Sequence, residues 1–461
     1  MIASRSLRCA GVALGLVLAA PAMAAAETPL YLGADLSFAN EMEDCGAAFK
    51  DHGRASDPFA VLKAHGGNLV RVRIWHDAKW THYSNYDDVL KTIRRAHAAG
   101  LQVLLDFHYA DDWADGQKQP PPAAWAQLST DGQVQALHDE TYGILTRLAA
   151  AGQMPELVQV GNEINPEMLG GHENAAIDWA RNARLINAGV AAVREAAKAT
   201  GSKPRVMLHV AQPENIIPWF DAATLAGVLD YDIIGISYYP KWSKLAPSGL
   251  AKVIAAAHAR YHADVMVVET AYPFTMGYGD ASANVLGADS LVPGYPATPQ
   301  GQLRYLSDLT QTVVDAGGDG VVYWAPDWVS TRCKTRWGQG SSWDNATVFD
   351  FHGQVLPAID FMRKAYQQPV AVTFRLHDAA AAKDQPLYLW GDFLGARDFL
   401  VHLQPDGQGG WTYQTRLTPG QVVRFQAYDS LPLTAGLFKD PSGYAQATVG
   451  PADTVIERTI P

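Results

Sequence analysis

The chain has 461 residues, of which 48% are hydrophobic and 10% aromatic, enough to bury the core of one large domain and a smaller one. Its formal net charge of −11 argues against nucleic acid and anionic membrane surfaces as partners. It contains only three cysteines, which excludes a disulfide-rich scaffold and a cysteine-based zinc site.

Residues 1–26 have the features of a secretory signal peptide. Arg5 and Arg8 precede an apolar run, and small residues offer cleavage sites after Ala24 or Ala26. The run is too short for a transmembrane helix, which needs about 20 apolar residues. We therefore expect a secreted or periplasmic protein with no membrane attachment once the signal is removed.

Eight short apolar runs alternate with helix-like segments between about residues 30 and 366. The runs cover residues 30–35, 68–75, 101–107, 157–163, 205–210, 231–238, 265–270 and 320–325. The segments between them repeat apolar residues at intervals of three and four. This alternation is typical of a parallel sheet buried on both faces, and eight units predict an α/β fold with a (β/α)8 TIM barrel over residues 27–366. An open doubly wound sheet is the alternative, but no G-x-G-x-x-G follows the first run.

Polar and aromatic side chains end most of the eight runs. They are Asp35, Arg73, Trp75, Asp106, His108, Asn162, Glu163, His209, Tyr238, Glu269 and Trp324. The C-terminal ends of barrel strands meet at one mouth, where such barrels carry their catalytic residues. The sequence therefore predicts a functional site at this end of the barrel.

Beyond residue 366 the pattern changes to short β-branched and aromatic runs separated by Gly, Pro and Asp. This pattern predicts a small antiparallel β-sandwich over residues 367–461. A carbohydrate-binding module is one interpretation of this domain. Tyr388, Trp390 and Trp411 would face either a glycan or the core, and we favour the core because strand aromatics usually pack inward.

Two carboxylates stand out, because glycoside cleavage needs one carboxyl group to protonate the leaving oxygen and another to attack or to activate water. Glu163 ends the fourth predicted strand and Glu269 the seventh, so they would face one another across the mouth. Asn162 would hydrogen-bond a sugar hydroxyl or the nucleophile. Tyr238 would orient Glu269, and the positive charge of Arg73 would keep the nucleophile ionised.

The chain resembles the arabinogalactan endo-β-1,4-galactanases of glycoside hydrolase family 53. The matching stretches include "NLVRVRIWHD", "LLDFHYADDWADGQKQPPPAAW", "LVQVGNEINPEMLG", "IIGISYYPKW" and "VVETAYPF". The resemblance implies a secreted enzyme that hydrolyses the galactan side chains of pectin with retention, with Glu163 as general acid/base and Glu269 as nucleophile. Family members usually carry Trp-Glu-Pro-Ala-Trp at the end of strand eight, where this chain has "WAPDW", residues 324–328.

Arg73, Asp106, His108, Asn162, Tyr238, Trp324 and Trp328 are the predicted substrate-binding residues, with the two tryptophans as stacking surfaces for sugar rings. Two alternatives to a galactanase stay open. One is another retaining β-1,4-glycanase, such as a mannanase, and the other is a non-catalytic glycan-binding protein that kept the barrel. Activity tests on galactan, mannan, xylan and cellulose separate them.

We predict no metal and no cofactor, and a monomer that binds polysaccharide. His108 and His209 lack the spacing of a zinc site, so a neutral hydrogen-bonding role is expected for both. The loop over residues 276–290 offers only Asp280, Asn284 and Asp289 as oxygen side chains, too few for the calcium site that some bacterial family members carry there.

Cys45 and Cys333 remain after cleavage, in the loops that follow the first and eighth predicted strands. These strands are neighbours where a barrel closes, so the two loops would leave the same face side by side. An oxidising compartment would let a disulfide form and persist. From the sequence, a bridge and two separate thiols are equally good interpretations.

Overall fold

The computed structural model of the protein describes residues 30–336, 338–378, 386–394, 400–428 and 443–460. The predicted signal peptide, residues 1–26, lies outside the described residues. Within the described part of the chain, no helix is long and apolar enough to cross a membrane.

Eight parallel strands form a closed barrel, which confirms the predicted fold class. They are β1 (Tyr31–Asp35), β2 (Leu69–Ile74), β3 (Gln102–Phe107), β4 (Leu157–Val160), β5 (Arg205–Ala211), β6 (Ile233–Ser237), β7 (Asp264–Thr270) and β8 (Gly320–Tyr323). Each strand pairs with the next along the chain, and β1 closes the barrel by pairing with both β2 and β8.

Helices follow the first seven strands, two of them after β1, and pack around the barrel. They are α1 (Ala39–Asp44), α2 (Pro58–Ala64), α3 (Tyr86–Ala98), α4 (Thr130–Ala150), α5 (Trp179–Thr200), α6 (Pro213–Leu225), α7 (Pro247–Tyr261) and α8 (Pro299–Asp315). Side-chain caps begin several of them. In α5, for example, Asp178 accepts hydrogen bonds from the backbone N–H groups of Ala180 and Arg181, and Gly201 ends the helix in the left-handed conformation.

The barrel interior has an apolar lower layer and a polar upper layer. The lower layer takes residues from every strand: Tyr31, Leu69, Leu104, Leu157, Met207, Ile233, Met266, Val268 and Val322. Successive inward positions of a strand are two residues apart. The next inward positions on β2, β3, β4 and β5 are Arg71, Asp106, Gln159 and His209, all buried. The sequence therefore places hydrogen-bonding and charged groups at the mouth and apolar groups beneath them.

Cys45 and Cys333 form a disulfide with their Cα atoms 5.5 Å apart. Cys45 directly follows α1, in the connection after β1, and Cys333 lies in the connection after β8. The bridge therefore joins the two loops on either side of the point where the barrel closes. The sequence left open whether these cysteines form a bridge or two separate thiols, and the structure has the bridge.

The C-terminal part contains two four-stranded sheets. One has the order β12-β13-β9-β16 and the other the order β11-β10-β14-β15. The strands are β9 (Val370–Asp378), β10 (Tyr388–Gly391), β11 (Val401–His402), β12 (Gln404–Pro405), β13 (Trp411–Leu417), β14 (Val422–Tyr428), β15 (Ala445–Thr448) and β16 (Thr454–Ile460). The two sheets share one hydrophobic core, as a sandwich does. All its described strand pairs are antiparallel except β9 with β16, which is parallel.

The aromatic residues of this sandwich divide between its core and its outer surface. Trp411 is 5% exposed and belongs to the core, as expected. Tyr388 and Trp390 lie on β10, where half-buried and buried residues alternate, and it is Leu389 that faces the core. The expectation that Tyr388 and Trp390 pack inward is therefore wrong, because the pleat of β10 turns both to the outer face.

The sandwich contacts the end of the barrel opposite the mouth. Thr418 donates a hydrogen bond to Asp315 (3.1 Å), and the side chain of Gln311 donates to the carbonyl of Gln367. A cavity of about 800 Å³ lies between the two parts, lined by residues such as Asp264, at the start of β7, and Arg416 of β13. The C-terminal sheets therefore do not line the barrel mouth.

Candidate active site

Glu163 sits in a tight turn directly after β4. Its φ is +44°, in the left-handed region that costs a non-glycine residue about 1–3 kcal/mol. The turn is held by β5, since the backbone N–H of Glu163 donates to His209 Nδ1 (3.3 Å) and that of Ile164 donates to the His209 carbonyl (2.8 Å). A strained backbone fixed in this way points the carboxyl group of Glu163 into the mouth of the barrel.

The carboxyl group of Glu163 has few charged partners. The backbone N–H of Gly116, in the loop after β3, donates to its Oε2 at 2.9 Å. Burial raises the pKa of Glu163, while hydrogen bonds from Ser237 and Gly116 lower it. No Lys, Arg or His among the described residues lies within ion-pair distance of its carboxylate oxygens. These surroundings favour the protonated form, which a general acid needs.

The carboxylate of Glu269, near the end of β7, faces two donors. Arg71 Nη1 lies 2.8 Å from its Oε1, and the Tyr239 hydroxyl donates to its Oε2 at 3.1 Å. Burial raises the pKa of Glu269, Arg71 opposes this rise, and Glu163 adds to it. One carboxylate oxygen of Glu163 and one of Glu269 lie within 4.8 Å of each other. A cation and a hydroxyl donor make Glu269 the better placed of the two to act as an anion.

Arg71 is the centre of a buried polar network beneath the two glutamates. Its guanidinium contacts the carboxylates of Asp35 (2.9 Å), Asp106 (2.8 Å) and Glu269. It also donates to Gln159 Oε1 and Asn162 Oδ1. A buried guanidinium with this many acceptors is fixed in place, and it fixes the carboxylate of Glu269 in turn.

The prediction that Arg73 holds the nucleophile ionised is wrong, since Arg71 makes that contact. Arg73 lies one inward position nearer the rim, and its guanidinium stacks over the rings of Phe38 (4.2 Å), Trp113 (4.7 Å) and Trp75 (4.8 Å). Glu269 reaches down to the layer of Arg71. Arg73 therefore supports the aromatic side chains of the mouth through cation–π contacts.

The predicted contact between Tyr238 and Glu269 is also wrong, because the hydroxyl on Glu269 belongs to Tyr239. Tyr238 donates its hydroxyl to the carbonyl of Leu245 (3.1 Å). Inward positions on β6 start at Ile233 in the apolar layer, and steps of two lead to Ser237 and then to Tyr239. Counting from the apolar layer therefore identifies the correct tyrosine.

Asp106, His108 and Asn162 belong to the network around Arg71. Asp106 is fully buried, and its Oδ2 lies 3.0 Å from His108 Nε2. Asn162 lines the cleft, but its Oδ1 accepts from Arg71, and its Nδ2 donates to the carbonyl of Ala114 (2.9 Å). The structure thus places Asp106 and His108 beneath the cleft and Asn162 at its floor.

The cleft has a volume of about 1040 Å³ and contains both glutamates. The tryptophans that line it are Trp113, Trp179, Trp219, Trp242, Trp324, Trp328 and Trp343. Trp324 and Trp328, the predicted stacking residues, are both present, with their ring centroids 6.2 Å apart. Phe38 stacks on Trp328 from behind at 4.4 Å. Such walls suit sugar rings, whose C–H faces pack on aromatic rings.

Several residues of the site were not predicted from the sequence. Trp179 and Trp219 lie on helices α5 and α6 and line the cleft. The amphipathic pattern of a helix does not distinguish a residue that faces the cleft from one that packs on the barrel. Gly116 lies in a loop and contributes only a backbone N–H, which has no signature in the sequence. Arg71 and Tyr239, in contrast, could have been found by counting inward positions from the apolar layer of the barrel.

Glu163, His209 and Glu269 offer three potential metal-ligand atoms within 4.8 Å of one another. Both ring nitrogens of His209 already have partners, because Nδ1 accepts the backbone N–H of Glu163 and Nε2 lies 2.8 Å from Ser237 Oγ. Burial lowers the pKa of His209 well below its ordinary value, and the Arg71 cation lowers it further. These contacts make His209 a neutral support for the turn of Glu163.

Comparisons with known proteins identify the family of this chain. The chain is 50% identical to the arabinogalactan endo-beta-1,4-galactanase of Cellvibrio japonicus (strain Ueda107) over 346 residues, covering 74% of this chain and 92% of that protein. It is 34% identical to the endo-beta-1,4-galactanase of Bacillus subtilis (strain 168) over 375 residues, covering 72% of this chain and 85% of that protein.

The solved structure of the Ignisphaera aggregans GH53 catalytic domain is similar, with a TM-score of 0.67 and 30% identity, covering 74% of this chain and 97% of that chain. The model of glycosyl hydrolase family 53 matches residues 31–362, which is the barrel with its connections. The chain therefore belongs to glycosyl hydrolase family 53.

Proposed function

We propose that the protein is an endo-β-1,4-galactanase that hydrolyses β-1,4-galactan, the type found in pectic arabinogalactan side chains, with retention of configuration. The observation that carries this proposal is the 50% identity to an arabinogalactan endo-beta-1,4-galactanase over 92% of that protein's length. Both carboxylates that the reaction needs are present in one cleft of this chain. A non-catalytic glycan-binding role would require neither of them.

In the first step, Glu269 attacks the anomeric carbon while Glu163 gives its proton to the leaving oxygen. The sugar becomes covalently bound through an ester to Glu269. In the second step, Glu163 takes a proton from water, the water oxygen attacks the anomeric carbon, and Glu269 leaves as a carboxylate. Arg71 and Tyr239 stabilise that carboxylate in the free enzyme through the contacts described above.

The distance between the glutamates supports the retaining mechanism. Retaining glycosidases hold their carboxyl groups about 5–5.5 Å apart, whereas inverting enzymes need about 6.5–9.5 Å to admit a water molecule. An oxygen of Glu163 and one of Glu269 approach within 4.8 Å. This close approach favours a direct attack by Glu269 over an attack by a water molecule.

We also propose that the protein is exported and that it is a monomer. Residues 1–26 have the charge and apolar pattern of a signal peptide. The Cys45–Cys333 disulfide is consistent with an oxidising compartment, such as the periplasm or the extracellular medium.

The test is hydrolysis of galactan, mannan, xylan and cellulose by the purified mature protein. We expect galactan alone to be cleaved rapidly, and proton NMR of the first products to show the β anomer before mutarotation. Glu195→Gln, on the outer surface of α5, is a matched control for Glu163→Gln and should retain full activity. Faster cleavage of mannan would show that the substrate is mannan and not galactan. An initial α anomer would show that the enzyme inverts the configuration.

A further inference from the structure

The outer face of the sheet β11-β10-β14-β15 carries two rows of aromatic and imidazole side chains. In the first row, Tyr388 of β10 pairs with His402 of β11 on one side and with Tyr428 of β14 on the other. The rings of Tyr388 and His402 lie 5.3 Å apart. This row therefore runs across three neighbouring strands.

The second row is one step along the same strands. Trp390 of β10 pairs with Gln426 of β14, and Phe425 pairs with Ala445 of β15, so Tyr444 extends the row beyond Gln426. The rings of Trp390 and Tyr444 lie 5.3 Å apart. Gln426 is 6% exposed beneath them. We call Tyr388, Trp390, His402, Tyr428 and Tyr444 together the aromatic face.

Among the residues that the structure describes, the aromatic face is accessible and carries little charge. Tyr444 is 64% exposed, His402 is exposed, and Tyr388, Trp390 and Tyr428 are half-buried. The Tyr428 hydroxyl donates to Gln426 Oε1 at 2.7 Å. Arg424, the nearest charged residue along β14, is paired with Asp392. Ring faces with hydroxyl, amide and imidazole groups beside them suit a neutral ligand that has apolar C–H faces and a rim of hydroxyls.

We propose that the aromatic face is a second polysaccharide-binding surface, which takes a neutral glycan chain of the same kind as the cleft. It rests on the proposed function only for the identity of that glycan. The sandwich contacts the barrel end opposite the cleft, so this surface is separate from the catalytic residues. Holding the polymer there raises the effective concentration of substrate at the cleft without changing the chemistry.

The test compares the full chain with the double variant Trp390→Ala/Tyr444→Ala. Binding to insoluble galactan is measured with Glu163→Gln added to both proteins, so that the polysaccharide is not consumed. We expect the double variant to bind about tenfold more weakly, because it loses two stacking contacts and the avidity they supply. Hydrolysis of a soluble short galacto-oligosaccharide by the catalytically active forms should stay within about twofold, because stacking at a remote surface contributes no binding energy to the reacting sugar.

Two further variants protect the test against misfolding. Tyr444→Ala alone changes a side chain that is 64% exposed, so the sheet should fold normally and binding should fall by a smaller factor. Val455→Ala changes an exposed residue of the other sheet and should leave binding as it is. Melting temperatures measured by circular dichroism confirm that all variants fold.

Unchanged binding by a folded double variant would overturn the inference. So would light scattering that finds a wild-type dimer and a monomeric double variant, because the aromatic face would then bind a second copy of the chain. The proposed function fails separately, if wild type does not cleave galactan. Wild type could instead cleave a different polysaccharide, which the double variant binds more weakly. That result would support the second binding surface and would show that galactan is not the substrate.

Discussion

Arg71 Nη1 lies 2.8 Å from Glu269 Oε1, and both side chains are almost fully buried. Taking a carboxylate out of water favours its neutral form, but the proposed role of Glu269 as nucleophile requires the ionised form. The Arg71 guanidinium resolves this conflict because it supplies a fixed positive charge inside the barrel, where the effective dielectric constant is lower than in water. The activity of Glu269 should therefore depend on Arg71 more than on any other neighbour.

Replacing Arg71 should move the pH profile as well as the rate. Arg71 lowers the pKa of Glu269 against burial, so Arg71→Lys, which loses the planar fork, should raise that pKa. Because the proposed mechanism requires Glu269 to be ionised, the acidic limb of the kcat/KM profile should shift to higher pH, and kcat should fall about 100-fold. A profile of unchanged shape would contradict the role of Arg71. Glu195→Gln is the surface control.

Tyr239→Phe and Tyr238→Phe form a matched pair, because each removes one hydroxyl from neighbouring residues. The Tyr239 hydroxyl donates to Glu269, and the Tyr238 hydroxyl donates to the Leu245 carbonyl. Tyr239→Phe should lower kcat on galactan by about 10- to 100-fold, whereas Tyr238→Phe should stay within about twofold. Equal effects of the two changes would mean that the hydroxyl on Glu269 has no special role.

The two glutamates should differ in chemical rescue. Glu163→Ala should lose about 1,000-fold on galactan, yet keep activity toward aryl galactosides whose leaving groups need no proton. Added azide should then give a β-galactosyl azide, because the covalent intermediate still forms on Glu269. Glu269→Ala should be inactive on both substrates, and azide should give the α product. Rescue products of the opposite configuration would show that Glu163 is the nucleophile and Glu269 the general acid/base.

Breaking the disulfide should reduce stability but not change the catalytic groups. The bridged cysteines are 288 positions apart, for which the chain-entropy model gives about 5.7 kcal/mol as an upper value. Cys45→Ser/Cys333→Ser should therefore lower the Tm by roughly 5–10 °C. Reduced wild type should match this variant. Two free thiols per chain in unfolded, unreduced protein would show that the bridge does not form in solution.

The alternating runs predicted the barrel, and the run endings placed Glu163, Glu269 and Trp324 at its mouth, where the structure has them. Trp328 was predicted from the resemblance to the family. The errors at Arg73 and Tyr238 arose from choosing the last polar residue of a run. The inward residues at the depth of Glu269 are Arg71 and Tyr239. Gly116 could not be predicted, since a backbone N–H can come from any residue type and only the folded loop brings it to Glu163.

We expect the network around Arg71 to select substrates by charge as well. One guanidinium contacts three carboxylates, those of Asp35, Asp106 and Glu269, and Glu163 lies beside them. The three carboxylates exceed the single guanidinium in charge, and this excess would stabilise the positive charge that develops on the sugar ring in the transition state. A uronic acid at the same position would bring one more carboxylate into the cluster and be repelled. We therefore expect the enzyme not to hydrolyse the acidic backbone of pectin and to shorten only the neutral chains attached to it.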